Sequence, residues 1–408
     1  MAEPAAGESS RLQAAAANFG VAVASALLFL TIAETGVRIW DRFVNRAPIV
    51  QQDPKTTLYE PHPYLPIVLK PDSDYRDSDT AGHINSLGLR GPERPAAKPR
   101  GTYRILCVGG STTFGAGILG DENTWPARLE ARLAAAHSEQ RIEVWNAGVP
   151  GYTTAENVIY LSLRLLDFSP DLVIFFEGYN DFKPNRYPGF RSDYAHWRDR
   201  AQPPARPAIE GLRLYTKMKN LWARWTVERE AVIADPRTGE PMRRWDTVGE
   251  EGLASFRRNL KTMIAMARQG GAAVALATYP SPCTEENRRN RPELFSYLDG
   301  YLPNLTFAGV LDAFDRYNQA IRAVAVESKA ILADPALVIP ADPDLFVDHV
   351  HVNARGADAF AAVMQEAIEP ALPQGAPSPD RRVTAPSLVS PPAVSAGRAI
   401  PSTGHGQQ

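Results

Sequence analysis

The chain of 408 residues is poor in cysteine, with only two, and has no excess of either charge, with 44 lysines and arginines against 46 aspartates and glutamates. Two cysteines make no disulfide framework. Cys107 in an apolar run and Cys283 in a loop are both expected as free thiols. No histidine or cysteine spacing fits a zinc site, so no metal is called for. A net charge of −2 carries no polyelectrolyte signal, so nucleic acid is not an expected partner. The stretch Gly109–Gly117 lacks a Walker lysine, and its glycines miss the Gly-x-Gly-x-x-Gly spacing; neither nucleotide fingerprint is present, and no cofactor is expected. No Gly-x-Ser-x-Gly elbow surrounds Ser111, which argues against the α/β-hydrolase fold. There is no internal repeat.

What the chain does have is 44% hydrophobic residues, ample for a large core. The ends differ from the middle. A polar segment, 1–18, precedes an apolar run that reads FGVAVASALLFLTIA from Phe19 to Ala33 and continues to Trp40. About 20 helical residues span a bilayer core, so 19–40 is read as an uncleaved membrane anchor. The region before Phe19 is not basic and no Ala-x-Ala site stands at the boundary with the polar stretch that follows, which disfavours a cleaved signal peptide. Glu34 and Arg38 can pair across one helical turn. The alternative is an amphipathic helix packed on a soluble domain. Segment 41–100 is polar and proline-rich and suits an ordered arm or linker more than a domain. The tail, 370–408, is rich in Pro, Ser and Ala without hydrophobic period and is expected to be disordered.

Residues 101–369 alternate strand and helix signals. Tyr103–Val108, Arg141–Trp145, Asp171–Phe176, Ala272–Tyr279 and a short run at Ile331-Leu332 read as strands. Thr124–His137, the segment from the capping box Thr153-Thr154-Ala155-Glu156 to Phe168, Glu250–Arg268, Val310–Lys329 and Gly356–Ile368 read as helices. Such alternation predicts a doubly wound parallel sheet. An insertion at about 182–247 interrupts it, with Tyr187, Phe190, Tyr194, Trp197, Trp222, Trp225 and Trp245 among many arginines. It is either a lid or sugar-stacking platform or a peripheral subdomain packed on its own rings.

In doubly wound sheets ligands bind beyond the carboxyl ends of the strands. The loops leaving those ends carry Gly109-Gly110-Ser111-Thr112-Thr113, then Asn146-Ala147-Gly148, then Gly178-Tyr179-Asn180-Asp181, and finally Asp348-His349-Val350-His351. Each block alone is an ordinary turn or helix cap. Together they supply a serine, a base and an orienting carboxylate, the requirements of acyl transfer. His351 is preferred to His349 as the base, because Asp348 three residues earlier can reach its other ring nitrogen.

The order Gly-x-Ser, Asn-x-Gly, Gly-x-Asn-Asp and Asp-x-x-His resembles the SGNH/GDSL hydrolase superfamily over roughly Arg104 to Ile368. The resemblance implies a flavodoxin-like three-layer α/β/α fold with a mainly parallel five-stranded sheet, and a serine esterase or deacylase. On that pattern Ser111 is the nucleophile, Asp348 and His351 complete the triad, and Ser111, Gly148 and Asn180 are the oxyanion donors. One departure is plain: Gly110 stands where the family has aspartate. The sequence Gly-Gly-Ser-Thr-Thr-Phe-Gly, preceded by Asn-Ser-Leu-Gly-Leu-Arg-Gly and an anchor, resembles a subgroup associated with acyl groups on cell-surface polysaccharides. The implied substrate is an O-acyl ester, O-acetyl first, on carbohydrate. An O-acyltransferase using the same triad, or a non-catalytic carbohydrate-binding protein, remains open, as does the oligomeric state. Arg11 before the anchor, against Arg38 at its end and Arg42 and Arg46 after it, favours a cytoplasmic domain by charge. The family analogy favours the extracytoplasmic side and is followed here.

Overall fold

In a computed structural model, described for residues 6–44, 58–76, 79–198, 214–215, 218 and 243–373, the apolar runs form one five-stranded sheet. Its strands are β1 (Thr102–Gly109), β2 (Arg141–Gly148), β3 (Leu172–Phe176), β4 (Ala273–Ala277) and β5 (Ile331–Ala333), in the order β2-β1-β3-β4-β5 and all parallel. All five residues of β3 are buried, because helices cover both faces of the sheet. Helices α1 (Trp125–Ala136) and α5 (Ala354–Ile368) pack together on one face; α2 (Thr154–Leu163), α3 (Glu250–Gln269) and α4 (Phe307–Ser328) pack on the other. The three-layer α/β/α architecture expected from the sequence is the one observed.

Local chemistry sets the helix ends. Thr153 and Glu156 form the capping box that starts α2, an arrangement of the kind that contributes about 1 kcal/mol. That helix stops at Leu163, five residues short of the sequence expectation, and a 3-10 turn at Leu165–Phe168 completes the segment. In α3, Leu253, Phe256, Leu260, Met263, Ile264 and Ala267 recur at helical spacing and are all buried, giving the stripe that lies on the sheet. Under α1 and α5, Trp125 meets Phe360 with ring centroids 5.0 Å apart and Phe176 at 6.3 Å. This aromatic cluster ties the last helix to the end of β3 and fixes the floor beneath the strand ends.

The arm before the sheet is ordered over its described residues. Tyr59–Glu60 pairs antiparallel with Val68–Leu69, and Ser73–Arg76 with Ala81–Ile84. Arg90 bridges to Asn146, so the arm meets the sheet at β2, its edge strand. The sequence suggested an ordered arm or linker but neither these pairings nor the contact with β2, because strands of two to four residues carry too little period to be read.

The N-terminal helix spans Ala6–Val44, and its stretch Ala17–Ile39 is long and apolar enough to cross a membrane, with mean hydropathy 1.8. None of that stretch is buried; Phe19, Leu27, Leu28 and Phe29 are more than half exposed. Glu34 and Arg38 pair at 2.7 Å across one turn. The tail beyond 373, and Trp222 and Trp225 of the insertion, lie outside the described residues.

Candidate active site

Register brings the strand ends level: Gly109 of β1 lies opposite Gly148 of β2 and Phe176 of β3. The order β2-β1-β3 reverses direction at β1, so the loops after β1 and β3 leave on either side of a crevice. Ser111 opens a single helical turn, Ser111–Phe114, directly after β1. Gly109 is required by packing, since a Cβ there would lie 2.1 Å from the Thr113 hydroxyl and 2.5 Å from the Phe176 carbonyl. The chain can therefore turn sharply from strand into helix at this point.

The segment before α5 doubles back on itself. Phe346 bridges Val352, and the Val347 N–H donates to the His351 carbonyl at 2.9 Å, making a tight turn around Asp348–His351. Asn353, not Asp348, caps α5, accepting from the N–H groups of Arg355 and Gly356. Asp348 and His351 are thereby left to each other. His351 Nδ1 lies 2.7 Å from Asp348 Oδ2, while Asp348 Oδ1 accepts from the Val350 and His351 N–H groups at 2.8 and 2.7 Å. On the far side of the ring, His351 Nε2 lies 2.7 Å from Ser111 Oγ, across 240 residues of chain. All three side chains are partly exposed. Burial would raise the Asp348 carboxyl, but the His351 charge and hydrogen bonds outweigh it and hold the group well below the usual carboxylate range.

His349 points elsewhere. It is buried, its Nε2 meets the Tyr179 hydroxyl, and burial lowers its pKa to about 4, so it is neutral at pH 7. Of the two histidines, only His351 meets Ser111.

Asn180 lies on the 3-10 turn Tyr179–Asp181 that follows β3. Its Nδ2 donates to the Tyr152 carbonyl at 2.7 Å, and its Oδ1 accepts from the Tyr301 hydroxyl. Beneath it, Asp181 is fully buried and accepts from the Thr154 N–H at 3.1 Å, the Thr154 hydroxyl and the Tyr194 hydroxyl at 2.9 Å. Burial raises the Asp181 pKa to about 7 in spite of those donors. Sequence reasoning passed over Tyr152, Tyr194 and Tyr301 in this role, because nothing local marks a tyrosine whose partner is remote.

Gly148 sits at the end of β2, where a Cβ would fall 2.2 Å from the Phe114 nitrogen; the strand passes close behind the serine turn. Its N–H donates to Asn146 Oδ1 at 3.0 Å. In the same loop the N–H groups of Val149 and Tyr152 are given to the carbonyls of Gly109 and Val149, and Thr153 donates to Glu156. Gly151, at φ +85° with open space on its Cβ side, gives its N–H to no group of the described residues.

The described aromatics of the insertion pack on neighbours. Tyr187 meets Trp197 at 4.9 Å, Phe190 meets His196 at 5.1 Å, Tyr194 reaches down to Asp181, and Trp245 lies against the Arg186 and Arg243 guanidinium groups.

No curated protein matches the sequence. Among solved structures, the chain is similar to a lipase/acylhydrolase from Enterococcus faecalis, at 18% identity and TM-score 0.39, over 69% of this chain and 100% of that one. It is also similar to a catalytic mutant of an acetylxylan esterase from Geobacillus stearothermophilus, at 16% identity and TM-score 0.37, over 65% and 94%. The model of the GDSL-like Lipase/Acylhydrolase family matches residues 107–359, well over half of the chain. The chain belongs to that family, whose members hydrolyse esters.

Proposed function

We propose that this enzyme is a serine esterase that removes O-acyl groups, O-acetyl first, from carbohydrate. The observation that carries the reading is the unbroken hydrogen-bonded chain Ser111–His351–Asp348, with both links at 2.7 Å. His351 takes the Ser111 proton as the hydroxyl attacks the ester carbon, then returns it to the leaving alcohol. Asp348 holds the imidazole in the tautomer that leaves Nε2 free to accept. Water, activated by the same histidine, then releases the acyl group and restores Ser111.

The tetrahedral oxyanion needs donors aimed at it. The Ser111 N–H and the second hydrogen of Asn180 Nδ2 are two of them. In the loop after β2 the Gly148 N–H donates to Asn146, whereas the exposed N–H of Gly151 has no partner among the described residues, so Gly151 is proposed for the third place ahead of Gly148. The oxyanion loop therefore includes one residue that the sequence resemblance did not single out.

Residues 19–40 are read as an anchor that holds residues 101–369 at the extracytoplasmic membrane face, with the arm as a docked connection rather than a free linker. The exposure of the apolar stretch supports a lipid environment over packing on the domain. A topology reporter fused after Ile368 tests the sidedness, and the N-terminal sequence of the purified protein separates an anchor from a cleaved signal.

Turnover of p-nitrophenyl acetate by the wild type and by Ser111→Ala tests the chemistry. Serine-dependent release is expected, and equal rates would sink the reading. Acetylated glycans, followed by mass analysis with and without a glycan acceptor, then distinguish release to water from transfer to sugar.

A further inference from the structure

The Asn180 amide is restrained on every side by groups that the triad does not require. Asn180 is 5% exposed. Its Nδ2 donates to the Tyr152 carbonyl at 2.7 Å, and because a carbonyl can only accept, this contact fixes which end of the amide is nitrogen. Its Oδ1 accepts from the Tyr301 hydroxyl, supplied from 121 residues further along the chain by the short turn Leu298–Tyr301. The Tyr301 ring stacks on Tyr179, the residue before Asn180, with centroids 5.4 Å apart and planes at 14°. The Lys183 ammonium stands 3.1 Å from the centre of the Tyr301 ring. On the remaining side lies Gly110, where a Cβ would come within 2.6 Å of Nδ2. The amide nitrogen is therefore pressed against the residue that precedes Ser111.

An amide nitrogen carries two hydrogens, and the Tyr152 carbonyl takes one. The other serves an oxygen bound beside Ser111 only if the amide plane is held. The terminal torsion of an asparagine side chain is broad and imposes no such hold by itself. We propose that Tyr301 is a positioning residue that holds the plane of the Asn180 amide and, by donating to Oδ1, strengthens its N–H as a donor. The proposal rests on the reading of Ser111 as nucleophile and Asn180 as oxyanion donor. The loop after β4 thus takes part in catalysis through Tyr301 without touching substrate. The Tyr152 carbonyl sets the direction of the amide, Tyr301 its plane, and Gly110 leaves the room it needs.

Removal of a whole oxyanion donor costs on the order of 100- to 1,000-fold in turnover. Loss of the restraint alone is expected to cost less, roughly 10-fold in kcat, with KM changed less than about 2-fold, because ground-state binding does not use the oxyanion contact. The test uses the full chain with p-nitrophenyl acetate and compares the wild type, Tyr301→Phe, Asn180→Ala and the double variant, with Ser111→Ala as reference. Phenylalanine keeps the ring and its stack on Tyr179. The expected result is a fall in kcat for Tyr301→Phe that vanishes in the Asn180→Ala background, and recovery when para-aminophenylalanine restores a donor at position 301. Wild-type kcat in Tyr301→Phe, or losses that multiply in the double variant, would overturn the proposal while Ser111→Ala remains inactive. An active Ser111→Ala enzyme would overturn the underlying reading as well.

Discussion

The Arg90 guanidinium donates to the Phe114 and Gly115 carbonyls at 3.0 and 2.9 Å, closing the helical turn that begins with Ser111. The same side chain, fully buried, reaches the carbonyls of Ala81 and Ile118 at 2.7 and 3.2 Å and pairs with Asp121 at 2.7 Å. The arm thus braces the serine turn from behind. Truncation to alanine strands the Asp121 carboxylate and several carbonyls, and breaking a buried pair costs about 3–5 kcal/mol. Arg90→Ala is expected to melt roughly 10 °C lower, at 2–4 °C per kcal/mol for a domain of this size, and to lose most of its activity. Arg90→Lys keeps the charge but not the planar fork, and should fall between. Calorimetry with a parallel rate measurement checks both; an alanine variant that melts like the wild type would refute the bracing role.

Asp348 predicts a loss without unfolding. Asp348→Asn leaves the turn at 348–351 close to its shape but allows the wrong imidazole tautomer. The expected fall in kcat is about 10,000-fold, the size seen for the same change in the Ser-His-Asp template. Circular dichroism should show the native spectrum. An asparagine enzyme within 10-fold of the wild type would remove Asp348 from the triad.

Asp181 predicts how stability follows pH. Burial raises its folded pKa to about 7, against an unfolded value near 3.9. Folding therefore favours the protonated acid between those values. The stabilisation is complete below about pH 4 and is lost as pH rises through 7. Between pH 5 and pH 8 the wild type should lose roughly 5 °C more of melting temperature than Asp181→Asn. Parallel slopes for the two proteins would show that Asp181 titrates as an ordinary surface acid.

Gly110 predicts an unusual outcome for a substitution toward the family pattern. Gly110→Asp recreates Gly-Asp-Ser, yet its Cβ would press on an Asn180 nitrogen already held by Tyr152 and Tyr301. Activity is expected to fall roughly 10-fold or more, a sizeable part of what loss of an oxyanion donor costs. Steady-state kinetics on a short acyl ester would show it, and a gain in kcat would mean that the amide yields.

The strands of the sheet were legible because continuous apolar runs such as Leu172–Phe176 have few other uses in a folded chain. The meeting of Ser111, Asp348 and His351 was legible because three residue types in a fixed order need no knowledge of distance. The docking of the arm was not, since what makes Arg90 structural is a set of backbone carbonyls that no sequence pattern announces. The case for Gly151 beside Gly148 as a proposed donor rests on where one N–H goes, since the Gly148 N–H is given to the Asn146 side chain, a contact no sequence pattern announces. Tyr301 was hidden for a related reason: its partner Asn180 lies 121 residues away, and its ring sits in a short turn without period.

The 240-residue gap bridged by the Ser111–His351 hydrogen bond has a consequence for the order of events in folding. Ser111 directly follows β1, the first strand of the sheet to be synthesised, whereas His351 is delivered only when α5 has docked through Phe360 onto Trp125 and Phe176. On the proposed mechanism, a chain shortened anywhere before His351 has a serine without a base and is expected to be chemically silent. On that reading turnover reports completed folding, and mild denaturant that loosens α5 is expected to switch the enzyme off before the β1–β3 core opens.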